Sequence, residues 1–120
     1  MMVVENLTRV EKVNDLTQNY SYRMLKGSKS FSISGDNVVV QTYGLEIERQ
    51  DISSNGTVIN IERDSICTIS PQRHKVHNLL KLLYDNQVSP IHLLEILSEY
   101  IDEYIIDFDI ASNETANSDM

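Results

Sequence analysis

"SPQRHKVHNLLKLLYDNQVSP" (residues 70–90) decides how this chain is read. Ser70 and Pro71 make a helix-start pair, because proline at the first helical position gives up no hydrogen bond. Val76, Leu79, Leu80 and Leu83 follow at i, i+3, i+4 and i+7, one face of an amphipathic helix. "DNQV" (85–88) is a short connection. Ser89-Pro90 then repeats the capping pair ahead of a second stripe, Leu93, Ile96, Leu97, Tyr100, Ile101 and Tyr104. So short a link predicts an antiparallel helical hairpin over about 70–106. The first helix carries Arg73, Lys75 and Lys81 and the second Glu95, Glu99, Asp102 and Glu103, so flank contacts between the two are expected.

Upstream of Ser70 the period is two. "NYSYRMLKG" (19–27) alternates Tyr20, Tyr22 and Met24 with polar residues and stops at Gly27. "LTRVEKV" (7–13) spaces its apolar residues less regularly, and a first strand is drawn there on weaker grounds, with "NDLTQN" (14–19) as its turn. A short strand at Ser30–Ile33, a turn at "SGDN" (34–37) and a long strand from about Val38 to Ile52 come next. Gly44 interrupts the long strand, and a glycine there marks a bulge or a close backbone approach beside Tyr43. Asn55-Gly56 is the preferred pair for a two-residue type I′ hairpin turn. Its flanks place Leu45 and Ile47 on one face and Ile59 and Ile61 on one face, as suits a sheet covered on a single side.

The expected architecture is therefore α+β: an antiparallel sheet of four or five strands over about 1–69, with the hairpin packed on one face. Residues 1–110 form a single domain, and "ASNETANSDM" (111–120), small, polar and aperiodic, is expected to be a disordered acidic tail.

Charge narrows the function. The net charge is −8, and residues 1–88 balance ten acids against ten Lys and Arg. The whole excess falls after residue 88, on Glu95, Glu99, Asp102, Glu103, Asp107, Asp109, Glu114 and Asp119, with no Lys or Arg. Such an end repels nucleic-acid phosphates and anionic membranes, so neither partner is expected. The start, "MMVVENLTRV", has no basic region leading into a long apolar core, and no segment has the roughly 20 apolar residues of a transmembrane helix. One cysteine, Cys67, permits no internal disulfide and fits a reducing, cytoplasmic setting.

Chemistry-bearing patterns are sparse. No P-loop, GxGxxG, HExxH, GxSxG or CxxC occurs. His74 and His77 are spaced for a shared metal but lack a third ligand, since His92 begins the other helix, and Arg73 and Lys75 disfavour a cation beside His74. No metal, cofactor or catalytic residue is assigned. Cys67 is the alternative, a reactive thiol beside a nearby histidine in a small thiol-dependent enzyme or redox sensor. The favoured reading is a protein–protein interaction or regulatory module without catalysis, with an unidentified protein or a second copy as partner. Its candidate surface is Glu95, Glu99, Asp102, Glu103, Ile106 and Phe108, because "YIIDFDI" (104–110) holds more apolar side chains than one helix face can bury. A free sheet edge is a further contact element.

"YGLEIER" (43–49), "INIERDSI" (59–66), "ISPQRHKVHNLLKLLYDNQVSPIHL" (69–93) and "ILSEYIDEY" (96–104) resemble a family of short, uncharacterised proteins of clostridia and related Firmicutes, a domain of unknown function. The resemblance implies a cytoplasmic protein of a spore-forming lineage and carries no activity, ligand or site residue with it.

Overall fold

A computed structural model describes residues 1–118. Four strands, β1 (Met2–Val13), β2 (Leu16–Ile33), β3 (Asp36–Ile52) and β4 (Val58–Ser70), precede α1 (Arg73–Asp85), a 3-10 turn (Pro90–His92) and α2 (Leu93–Ser118). The strands form one antiparallel meander in the order β1-β2-β3-β4. β2 is a single strand that runs through Gly27, where a break was expected; Gly27 pairs with Thr42, and its ladder with β3 is unbroken from Thr17 to Ile33. The sheet is four strands wide only up to Lys26 and Tyr43, where β1 and β4 stop pairing. Beyond that point β2 and β3 continue as a two-stranded ribbon to Ser34-Gly35, which gives the molecule its 61 × 24 × 18 Å shape.

The turns follow local chemistry, with one exchange of roles. Ser34 and Gly35 both have positive φ, as a type I′ turn requires. The Asn55-Gly56 loop has positive φ only at Gly56, and Gly56 N–H bonds Ser53 O (2.9 Å), so this loop is longer than the two-residue turn expected. At Gly44 a bulge in β4 brings backbone so close that a Cβ would lie 2.2 Å from the Ile66 carbonyl oxygen.

The core sits between one sheet face and the helices. Tyr22, Met24, Leu45 and Ile47 meet Val76, Leu79, Leu80 and Leu83 of α1 and Leu93 and Leu97 of α2. Each such side chain contributes about 1.5–3 kcal/mol on full burial. Tyr22 serves as a tie: its hydroxyl donates to Val88 O (2.9 Å) and accepts from Arg9 Nε (3.1 Å). α1 starts two residues later than the Ser70-Pro71 pair suggests. Ser70 ends β4 with its hydroxyl accepting from Gln72 N–H (3.0 Å), and Gln72 is the N-cap. α1 ends in paired bonds, Val88 N–H to Leu83 O and Gln87 N–H to Tyr84 O, with Gln87 at φ 52°, a Schellman stop built without glycine.

Each helix packs chiefly on the sheet, and their contact with each other is slight. Their link is Lys75, whose ammonium donates to Asp107 Oδ2 (2.8 Å) and lies 4.9 Å from the Tyr104 ring centre. Asp107 also accepts from Ser70 (3.2 Å). α2 does not stop at residue 106 or 110. It continues to Ser118, so residues 111–118, expected as disordered tail, are helical, and residues 119–120 lie outside the described residues. No proline or glycine interrupts this stretch, and Ser112 and Thr115 hydroxyls donate to the carbonyls of Asp109 and Ala111, turning their polar groups back onto the helix.

Candidate functional site

Register decides what the free surfaces carry. Leu45 and Ile47 are fully buried, but Ile59 and Ile61 do not share their side. Ile47 pairs with Asp64 and Gln50 with Ile61, because β4 holds one extra residue where Ile52 pairs with Val58. Directly opposed residues point the same way, so Ile61 stands on the open face with Gln50 and Glu48.

That open face is a charge network. Glu48, 4% exposed, accepts from Arg63 Nε (2.7 Å), Arg23 Nη2 (3.4 Å) and Gln50 Nε2 (3.1 Å), while Arg23 also pairs with Glu46 (2.8 Å). Burial pushes the Glu48 carboxyl up, but hydrogen bonds and charge from Arg63 and Arg23 outweigh it and hold the pKa below 4.5. Asp51, on the other pleat at the end of the Leu45–Ile47–Arg49 side, behaves alike: burial is overcome by bonds from Asn60, Arg49 and Gln18. Both carboxylates are thus saturated with donors and poorly suited to proton transfer.

α2 divides into two sides. Leu93, Leu97, Tyr104 and Phe108 face inward at helical spacing, and Glu95, Glu99, Asp102 and Ile106 line the opposite stripe at i, i+4, i+7 and i+11. Ile106 is 58% exposed, and Ile105 and Ile110 are exposed beside it. Phe108 does not belong to this surface: it is 7% exposed, its ring 6.0 Å from Phe31 of the ribbon. Its place fifteen residues after Leu93 continues the buried stripe, a signal present in the sequence. The expected flank pairing with α1 is also different. Lys75 reaches Asp107 rather than the outer acids. Glu95 pairs with His92 (3.2 Å), and among the described residues Glu99, Asp102 and Glu103 engage no cation in an ion pair.

Cys67 is exposed in the bulged end of β4. His77 Nδ1 lies 3.0 Å from Glu5 of β1, at the opposite edge of the sheet, and His92 meets Glu95, so neither is committed to the thiol. Among the described residues no three His, Cys, Asp or Glu side chains are grouped as a metal site would need. No described helix is long and apolar enough to cross a membrane. What the sequence reading missed is a groove of about 400 Å³ at the outer side of β4, lined by Ile61, Glu62, Arg63, Asp64, Pro90 and Ile91. Its parts come from segments thirty residues apart, so no local pattern announces it.

Fold and surfaces together define a small α+β domain, a four-stranded antiparallel meander with two helices. The chain belongs to a family of unknown function, DUF6514, whose model matches residues 1–103. No curated protein and no solved structure matches it.

Proposed function

We propose that this chain is a small cytoplasmic module that acts by binding another protein, without catalysis, and that the outward side of α2 is its docking surface. One observation carries the reading: Glu99, Asp102 and Glu103 have no intramolecular cation among the described residues, yet they flank exposed Ile105, Ile106 and Ile110. Apolar anchors ringed by unneutralised charge suit a partner helix that is basic and amphipathic, with the apolar centre supplying affinity and the charges steering association. A second copy is a poorer fit, since it brings another −8 to the contact. In this reading α1 and α2 act as an antiparallel pair clasped at Lys75 and Asp107. Thiol chemistry at Cys67 remains the weaker alternative, as no histidine there is bonded to the sulfur.

The test uses a fluorescent helical peptide of repeating Leu and Lys, with binding followed by anisotropy. The wild-type chain is expected to bind, and to bind more weakly as salt rises from about 50 to about 300 mM. The doubly substituted Glu99→Lys, Asp102→Lys protein, with its circular dichroism unchanged, should bind at least about tenfold more weakly. Equal binding by both proteins would remove α2 as the surface.

A further inference from the structure

We infer that the free edge of β4, with the Pro90–Ile91 shoulder beside it, is a receptor for an extended segment of a partner protein, which joins the sheet as a fifth strand. This surface is separate from the α2 face. β4 is the outermost strand, and its ladder to β3 is regular from Asn60 to Ile66, between irregularities at either end. Ser65 N–H bonds the carboxylate of Asp64 (2.9 Å) rather than a strand, so its amide points away from β3. Alternation along the strand turns the amides of Ile61 and Arg63 outward as well. A row of alternating outward donors and acceptors is matched by one kind of ligand, an extended peptide backbone.

The side chains around the row specify that peptide further. Ile61, 52% exposed, stands on the open face, and Ile91, 70% exposed, rises with Pro90 beside the same edge. A strand laid in the groove between them has apolar surface for the residues on both of its sides. Edge strands are commonly guarded by charge. Here the guards are drawn inward, Glu62 to Arg49 (3.3 Å) and Arg63 to Glu48. Asp64 is left at the edge without a cation among the described residues, its carboxylate held on the amide that an incoming carbonyl would take. The occupant is therefore an apolar, β-forming segment with a basic residue placed to meet Asp64.

A second copy fits less well. Symmetric antiparallel pairing over the regular stretch centres on Arg63, and sets Arg63 against its own copy and Glu62 against Asp64 of the other chain. Like charges directly opposed across a ladder are destabilising.

The probe is a short synthetic peptide of alternating Val and Thr with Lys at each end, compared with a counterpart N-methylated at alternate residues so that it cannot pair along the edge. Amide exchange at Ile61, Arg63 and Ser65 should slow at least about tenfold with the first peptide and stay unchanged with the second, while amides of β1 are unaffected. Ile61→Lys should weaken binding at least about tenfold. The Glu99→Lys, Asp102→Lys protein should retain the protection, which separates this site from the α2 surface. Unchanged exchange at the three amides overturns the proposal, as does equal protection by the N-methylated peptide. Protection that grows with protein concentration alone would instead assign the edge to a second copy and also overturn it.

Discussion

The two faces of β3 are made by the same residues counted alternately, and they are held by different forces. Leu45 and Ile47 face the helices with no accessible surface, and the Glu46 and Glu48 carboxylates interleaved with them pair with Arg23 and Arg63 on the other side. One face is stabilised by displaced water, which involves no titrating group; the other by donors arranged around carboxylates, which titrate. From Leu45 to Glu48 the chain therefore keeps an apolar side and a tunable polar side within a single strand, and ion pairing reaches the apolar side only at its end, at Arg49 and Asp51. At residues 42–43 the buried positions change parity, from Val38, Val40 and Thr42 to Tyr43, Leu45 and Ile47, where the sheet narrows to the ribbon that meets Phe108. Two-stranded ribbons twist more than wide sheets, and this lets the far part of α2 cover the other pleat.

Gly44 sits at that change of face, and substituting it is the severest way to break the comparison. A Cβ at Gly44 would meet the backbone of Ile66 and Cys67, which has no rotamer to move aside. Gly44→Val should cost more than about 4 kcal/mol, enough to leave much of the chain unfolded in urea titrations that the wild type survives. A variant with wild-type stability would show that β4 does not cross so closely.

A milder contrast sets one aliphatic residue on each face. Leu45→Ala removes a fully buried side chain from the middle of the core and should cost about 2–5 kcal/mol. Ile61→Ala, on the open face, should change stability by no more than about 0.5 kcal/mol. Chemical denaturation of the two variants measures the difference, and equal losses would mean that the open face is covered.

How much of this was legible depended on range. The helix stripes at Val76–Leu83 and Leu93–Tyr104 and the long third strand are local patterns, and each is present in the structure, except that Ile96 of the second stripe is exposed. Register is not local. Ile59 and Ile61 alternate as cleanly as Leu45 and Ile47, and a single extra residue in β4 decides that they face water. The continuity of β2 was obscured for a related reason: Gly27 has weak strand preference, yet it is held by an unbroken ladder on β3. Glu95, Glu99, Asp102 and Glu103 lie off the core stripe and are exposed, whereas Phe108 is buried fifteen residues after Leu93, a period that the apolar surplus of "YIIDFDI" masks. The β4 groove needed Pro90–Ile91 beside Ile61–Asp64, a juxtaposition only the fold supplies.

The smallest effect concerns the polar face alone. Glu48 has its pKa lowered in the folded state, so its contribution to stability is present above the unfolded value near 4.5 and is lost as pH falls through the lower folded value. Glu48→Gln keeps the size of the side chain and removes the charge. Arg23 retains Glu46, and Arg63 is half exposed and rehydrates, so the cost at neutral pH should be about 1–2 kcal/mol rather than that of a stranded buried charge. Below pH 4.5 the two proteins should converge, since protonation does to the wild type what the substitution does to the variant, while Leu45→Ala should keep its deficit over the same range. A Glu48→Gln deficit that persisted undiminished to the acid limit would mean that the carboxylate acts through shape and packing, and that the two faces of β3 differ less in physics than in composition.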